Sequence, residues 1–497
     1  MDNSTLYRHI IPDTSGLPLA PRIITSSEIT PQSVKNALQV WQSYESRFDA
    51  LFYRYVGLGS TATYFNQMKD GTWKIENPTD VRTLANFSHY IVKSIKGYII
   101  GNAPEYEYGE GDVYGEAIAD YFHQIEMERV DADLIQDMST YGVAYELIYR
   151  DEDGQLMSET ISPRDCFVAY TGDVTGKPVF GCIRYGEPRD DNTIKYTLKI
   201  YTETEILTYE SDNEDAGFVQ TGSEYHGMGR VPILCYPNNK ERMSDIEQTL
   251  ALESAYNHLL IDRLADKDAF VKAILVITGS VIGMTADELK EARKNLNDLR
   301  VLQMDNDGST AQFLEHQLNE ADVDVLQSLF KDLLHKFSGC PDMSDENFAN
   351  NSSGVAMAYK MLGQDEAIAD KESAFRKVFK QRCRIYDWAM NNPSQSPSYE
   401  PRTDIGAMNI VFKHNVPQDL SYMSTALTQL TGAGIMSKDT ARQVLTVIAD
   451  ADAEKEKVDS EAEQDVERNR ASFEDDYSTT PNNMTENPIF NEDEQSE

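Results

Sequence analysis

The chain has 497 residues, with 83 acidic and 45 basic side chains and a formal net charge of −38. Its length suits about three domains, and its 40% hydrophobic content is typical of folded proteins. Tight nucleic-acid binding neutralises phosphates with Lys and Arg, so this charge excludes a broad DNA-gripping surface. It leaves open a local basic patch, or DNA enclosed without tight contact. An acidic surface that keeps a large assembly soluble explains the charge equally well.

No segment is predicted to enter a membrane. The longest apolar run, 269–278, is interrupted by Lys272 and is too short to cross a bilayer. The first residues lack the basic and apolar regions of a signal peptide. The five cysteines are widely spaced without CxxC pairs, which predicts free thiols in a reducing compartment. They are Cys166, Cys182, Cys235, Cys340 and Cys383. We therefore expect a soluble intracellular protein.

The first part of the chain is predicted to be helical. Residues 1–30 contain several prolines and no periodicity, so we expect a flexible arm. Apolar side chains at helical spacing then predict three helices, at 31–51, 80–100 and 115–141. Thr30 and Pro31 suit the cap and the first residue of the first helix.

Between residues 142 and 237 the hydrophobic period changes to two, which predicts an antiparallel β region. Its predicted strands are 143–149, 156–161, 179–185, 194–201, 205–209 and 231–236. Asp151-Glu-Asp-Gly154 fits a hairpin turn between the first two.

Two long helices with a small mixed module between them follow. The helices are predicted at 243–270 and from Glu320 to about Phe337, where Gly339 and Pro341 end the second one. The module comprises strands 273–278, 301–304 and 311–314 and a helix at 285–296, which opens with a capping box. This order predicts a helical hairpin with a small domain at its tip.

A polar segment, 343–353, joins the hairpin to the next helix. It is rich in Asn and Ser and has no periodicity, and loops of this kind are usually functional or disordered. The helix after it is expected to begin behind Ser352 or Ser353 and to continue past Trp388. The remaining predicted elements are a linker at 391–402, a strand at 410–412 and helices at 421–430 and 437–449. From Asp450 the chain is highly charged and helical at first, and disorder is expected beyond Ser472.

Motifs for catalysis or metal binding are absent or incomplete. Gly172–Lys177 has one residue too few between its glycines for a phosphate loop, and Pro178 stands where Ser or Thr is needed, so a β-turn is predicted. Neither 151–154 nor 305–308 supplies the bidentate Glu of a calcium loop. The eight histidines form no HExxH or Cys/His cluster, and G-x-S-x-G is missing. We predict no enzymatic activity, no metal and no cofactor.

Two stretches carry a family resemblance. S-G-C-P-D-M-S-D-E-N-F and N-S-S-G-V-A-M-A-Y-K-M-L-G fall within 337–363, and A-Y-N-H-L-L-I-D-R and L-V-I-T-G fall within 245–279. Together they resemble the portal proteins of tailed bacteriophages, of the siphophage type. The order and separation of the phrases make the match specific, and it covers most of residues 30–450.

The resemblance implies an α+β, mainly α fold. Its parts are long stem helices, an antiparallel β-rich wing, a small α/β clip and a helical crown. The implied segments are a flexible arm (1–30), the wing (31–239), stem helix 1 (240–270), the clip (271–319), stem helix 2 (320–342), the tunnel loop (343–353), a long wing helix with linker (354–408), the crown (409–470) and a disordered acidic tail (471–497).

The resemblance also implies a function. Portal proteins form a ring, usually of twelve subunits, at one capsid vertex, and double-stranded DNA passes through its channel during packaging and ejection. Terminase docks on the clip and head-completion or adaptor proteins replace it, while major capsid and scaffolding proteins surround the ring. The expected locations are the virion and, during assembly, the host cytoplasm.

Two residue sets are implied to serve this function. The tunnel-loop set is Asp345, Glu346, Asn347, Phe348, Asn350, Asn351, Ser352 and Ser353. Its two acids repel phosphates and its Asn and Ser side chains allow sliding, while Phe348 is either a lever into DNA or an anchor for the loop. The clip set is Lys267, Lys272, Lys290, Arg293, Lys294 and Arg300. These cations form either a solvated helix face or a ring that contacts DNA or protein partners.

Two other classes of protein remain as alternatives. One is a non-portal structural protein of the virion, although adaptors are usually shorter and scaffolds lack so long a β region. The other is a DNA-processing enzyme with scattered metal-binding acids, which divalent-metal-dependent turnover of DNA would reveal.

Overall fold

The computed structural model describes most of the chain. The described residues are 22–57, 85–189, 194–212, 218–271, 274–278, 290, 310–314, 320–342, 354–392, 396, 399–415, 420–445 and 451–478. They form two compact units, Met1–Val416 and Pro417–Glu497. The predicted α+β class is confirmed.

Seven described helices belong to the first unit. They are α1 (Pro31–Tyr55), α2 (Phe87–Ile100), α3 (Val113–Gln124), α4 (Met127–Tyr141), α5 (Leu250–Val271), α6 (Glu320–Ser338) and α7 (Gly354–Asn391). The predicted start of α1 is confirmed. The Thr30 hydroxyl accepts a hydrogen bond from the Ser33 backbone N–H at 3.1 Å, and Pro31 occupies the first helical position.

Three helix predictions were wrong in their bounds, each for a local reason. α2 begins at Phe87 rather than 80, because the Asn86 side chain caps it by accepting from the His89 N–H at 2.8 Å. The helix predicted at 115–141 is two helices, and the left-handed backbone of Glu126 (φ 53°) separates them. α5 begins at Leu250 rather than 243. There the Asn239 side chain accepts from the Met243 N–H at 2.8 Å in a non-helical turn.

Thirteen strands form four sheets within the described part of the chain. The strands are β1 (Ile23–Thr25), β2 (Glu105–Glu107), β3 (Val143–Arg150), β4 (Leu156–Ile161), β5 (Cys166–Thr171), β6 (Pro178–Pro188), β7 (Ile194–Tyr201), β8 (Glu205–Ser211), β9 (Val219–Tyr225), β10 (Ile233–Pro237), β11 (Ile274–Thr278), β12 (Thr310–Leu314) and β13 (Asn409–Val411). The sheets have the orders β1-β5-β6-β7-β8-β9, β10-β3-β4, β11-β12 and β13-β2.

The β region was predicted in part. The hairpin of β3 and β4 is confirmed, with Gly154 at φ 78° in its turn. Strands β5 and β9 were missed. So was β1, which lies inside the predicted flexible arm and pairs in parallel with β5, with Ile23 opposite Ala169.

The core of the first unit lies between α7, the three-stranded sheet and helices α1 to α4. Trp41 of α1 stacks on Phe167 with ring centroids 5.6 Å apart, and its indole N–H donates to the Pro163 carbonyl at 3.1 Å. On the other side, Phe379 of α7 packs against Tyr106 at 5.9 Å. All five cysteines are buried free thiols, as predicted.

A fully buried ionic group crosses this core. Arg382 of α7 contacts Asp131 of α4 at 2.6 Å and Glu146 of β3 at 2.9 Å, and all three side chains are 0% exposed. Tyr236 donates to Glu146 at 2.6 Å and Tyr106 donates to Asp131 at 2.8 Å. Burial raises the pKa of Asp131, and the positive charge of Arg382 opposes that shift. The group therefore stabilises the contact of α7 with α4 and β3 only while Arg382 neutralises the two buried carboxylates.

The second unit contains three described helices, α8 (Leu420–Gly432), α9 (Lys438–Val444) and α10 (Ala451–Ser478). Ser437 caps α9, as predicted, by accepting from the Thr440 N–H at 3.0 Å. Two elements depart from the predicted crown and tail. β13 pairs with β2 in the first unit, with Ile410 opposite Tyr106. α10 continues through Ser478, past the residue where disorder was expected to begin.

Candidate functional site: the α5–α6 hairpin

Helices α5 and α6 lie side by side, with a small sheet between them in sequence. α5 leads into β11, and β12 precedes α6. β11 and β12 pair antiparallel, with Val276 opposite Gln312. Because both helices connect to this sheet at one end, they run in opposite directions. Gln327 of α6 donates to the Tyr256 hydroxyl of α5 at 3.3 Å. These elements form the predicted hairpin.

The first turns of α5 are fixed to the loop before α2 and to its first residues. The Asn257 amide accepts from the Ala85 N–H and donates to the Ala85 carbonyl, both at 2.9 Å. Glu253, 0% exposed, accepts from the Ser88 N–H at 3.3 Å and from its hydroxyl. Burial raises the pKa of Glu253, and the Ser88 hydrogen bonds oppose the shift. The hairpin therefore has a rigid base.

The end of α6 is also held firmly. Gly339 (φ 69°) ends the helix, and a Cβ there would lie 2.7 Å from the Gly363 carbonyl oxygen of α7. Cys340 is 1% exposed, and burial raises the pKa of its thiol to about 11. Tyr90 donates to the Pro341 carbonyl at 2.9 Å, and Lys331 pairs with Asp342 at 2.6 Å. The chain is therefore fixed up to Asp342, the last described residue before 343–353.

The predicted site residues are mostly outside the described residues. This holds for the whole tunnel-loop set: Asp345, Glu346, Asn347, Phe348, Asn350, Asn351, Ser352 and Ser353. In the clip set it holds for Lys272, Arg293, Lys294 and Arg300. Lys267 lies on α5, and Lys290 is exposed and helical. The grouping of the clip cations therefore stays a prediction.

One feature of α6 was missed at the sequence level. Leu334 is 1% exposed and packs inward, whereas large apolar side chains also face outward. The outward-facing side chains are Val325 (67% exposed), Leu326 (42%), Leu329 (47%) and Phe337 (54%). We call these four residues the apolar face of α6. Contiguous exposed apolar surface of this kind marks an interaction site.

Where the chain is described, His, Cys, Asp and Glu side chains form no group of three that could hold a metal ion. Among the described helices, none combines the length and apolar character that a bilayer crossing needs. His335, on α6, instead packs edge-on against Tyr90, with ring centroids 5.7 Å apart.

Comparison with known proteins supports the resemblance seen in the sequence. The family described as "Phage portal protein, SPP1 Gp6-like" matches residues 34–468. The chain is also similar to the portal protein of Bacillus phage SPP1, at 22% identity over 350 residues that cover 67% of each chain.

Proposed function

The chain belongs to the SPP1 Gp6-like phage portal protein family, and we propose that it forms a closed ring at one capsid vertex, with an axial channel for double-stranded DNA. Proteins of this family are structural components of the virion rather than enzymes. In the ring, each subunit contacts the next through a repeated head-to-tail interface, and twelve subunits are expected.

The apolar face of α6 is the observation that best supports the ring. A helix that packs on one side and exposes Val325, Leu329 and Phe337 on another has apolar surface to bury. In a ring, the hairpin of a neighbouring subunit is in position to cover it. Burial of a Val, Leu or Phe side chain contributes roughly 1.5–3 kcal/mol relative to exposure. The α5–α6 hairpin is then the stem.

We assign the lining of the channel to the segment between Asp342 and Gly354. This segment follows directly on Gly339–Asp342, where the chain is fixed against α2 and α7. Asp345 and Glu346 repel phosphates, while Asn and Ser side chains form exchangeable hydrogen bonds with passing DNA. The chain's charge of −38 fits the same role, because a channel that releases DNA must not bind it tightly.

The remaining segments complete the subunit. We assign residues 31–239 and 354–408 to the wing, 271–319 to the clip and the second unit to the crown. The clip docks terminase during packaging and head-completion proteins afterwards, and capsid and scaffolding proteins contact the ring from outside. Assembly takes place in the host cytoplasm.

The clip assignment is tested by reversing two of its charges. We expect Arg293→Glu/Lys294→Glu to form rings as the unmodified protein does, but to lose docking of terminase or connector proteins at least tenfold. Like charges placed across an interface cost binding energy without affecting distant contacts. Pull-down of the docking proteins measures the loss. Lys35→Glu/Lys93→Glu, on α1 and α2, is the control with the same charge change. Undiminished docking and packaging in the clip variant would contradict the assignment.

A further inference from the structure

A basic groove runs along one side of the first unit. It has a volume of about 1810 Å³ and lies between α7, β10 and the turn that joins β5 to β6. Six exposed cations line it: Arg22, Lys177, Arg230, Lys240, Lys377 and Arg384. Three acids, Glu203, Glu241 and Asp370, also line it. The groove is therefore locally positive in a strongly acidic chain, and we call these six cations and the surface between them the basic groove.

Most of these cations have no acidic partner. No described carboxylate forms an ion pair with Lys177, Arg230, Lys240, Lys377 or Arg384. Arg22 is engaged differently, because it donates to the Gly176 carbonyl and lies over the Tyr170 ring at 4.4 Å. Unpaired positive charges concentrated in a concave surface attract an acidic ligand.

A surface of opposite charge lies on α3 and just before it. Glu110, Val113, Tyr114, Glu116 and Asp120 are all exposed, and we call them the acidic stripe. Val113, Glu116 and Asp120 share one face of α3, since they are three and four residues apart. Val113 is 68% exposed and Tyr114 41%. Arg402 lies beside Tyr114, donating to its hydroxyl at 3.3 Å. No described cation forms an ion pair with the three acids.

The basic groove and the acidic stripe face away from each other. The buried side of α3 packs on α7, with Phe122 4.9 Å from Tyr386 and 6.0 Å from Phe379 between ring centroids. Lys377 and Arg384 each precede one of these α7 aromatics by two residues, which is about 200° around the helix. The two surfaces therefore cannot meet within one subunit, but both are available to neighbours.

We propose that the basic groove of one subunit receives the acidic stripe of the next. A head-to-tail ring needs two different, complementary surfaces on opposite sides of each subunit, and these two meet that requirement. The inference rests on the ring proposed above and assigns one of its interfaces. Val179, which is partly exposed in the groove, matches the exposed Val113 of the stripe. Double-stranded DNA would match the charge but would offer Val179 no apolar partner.

A charge-swap experiment tests this interface. The groove variant is Lys377→Glu/Arg384→Glu, the stripe variant is Glu116→Lys/Asp120→Lys, and the third protein carries all four changes. The six side chains changed in these variants and in the control Lys35→Glu/Lys93→Glu are all exposed. We expect each double variant to raise the protein concentration needed for ring assembly at least tenfold, because like charges then face each other. The combined variant restores opposite charges and should assemble within threefold of the unmodified protein.

Sedimentation velocity measures assembly, and thermal melting confirms that each variant folds. Groove and stripe variants that assemble like the control, or a combined variant no better than either alone, would overturn the proposed interface while leaving the ring intact. Loss of binding to a short DNA duplex in the groove variant, with assembly unchanged, would assign the groove to DNA instead. An unmodified protein that forms no rings would overturn the ring itself.

Discussion

Replacing Leu329 by Asp should prevent ring assembly at concentrations where the unmodified protein is fully assembled. Leu329 is 47% exposed in the single subunit, so the change leaves the core of the first unit intact. In a ring, however, the new carboxylate lies in an apolar contact at every interface. The lost apolar burial alone costs roughly 1.5–3 kcal/mol per contact, and about 1.4 kcal/mol corresponds to a tenfold change in an equilibrium constant.

Ser328→Asp is a matched control for this variant. Ser328 is the preceding residue, it is also exposed, and its substitution adds the same charge, but it lies outside the apolar face of α6. Sedimentation velocity across a range of concentrations should show rings for Ser328→Asp and smaller species for Leu329→Asp, with similar melting temperatures. Rings of equal stability in both proteins would show that α6 does not form the subunit contact.

Replacing Arg382 by Met should destabilise the first unit by about 3–5 kcal/mol, because Asp131 and Glu146 would stay buried without their cation. The control is Arg129→Met on α4, which removes exposed pairs to Glu159 and Asp133. Exposed ion pairs contribute at most about 1 kcal/mol. Thermal and urea unfolding of the two variants measures the difference, and equal stabilities would contradict the role assigned to the buried group.

The loss in Arg382→Met should also depend on pH. Burial raises the pKa of Asp131, and the variant lacks the positive charge that opposes this shift. A carboxyl whose folded-state pKa exceeds its unfolded value stabilises the folded state most while it is protonated. That stabilisation is lost as pH rises through the folded-state pKa. The stability deficit should therefore be smaller at about pH 5 than at about pH 8. A deficit that shrinks with rising pH would contradict this explanation.

Several elements could be predicted because their signals are local. Thr30 and Pro31 mark the start of α1. The period-two hydrophobic pattern of β7 and β8 predicted both strands to within a few residues of their observed bounds. β5 was missed because its first four residues are all buried, so no alternation exists to detect. β9 was missed for the opposite reason, since it is an edge strand with almost every side chain exposed.

The interaction surfaces were harder to predict than the family. The sequence predicted a helix from Glu320 to about Phe337, but a helix prediction alone does not show that apolar side chains also face outward. The basic groove draws its cations from the residue before β1, the β5–β6 turn, the segments flanking β10, and α7. No sequence pattern links residues as distant as Arg22 and Arg384, and only the packing of α7 beside β10 brings them to one surface.

Negative-stain electron microscopy of the purified protein, viewed along its symmetry axis, tests the central claim most directly. We expect rings with a central hole and roughly twelvefold symmetry, as a closed head-to-tail assembly requires. Compact particles without a hole, at every protein concentration and also beside a scaffolding protein, would contradict the proposed portal ring.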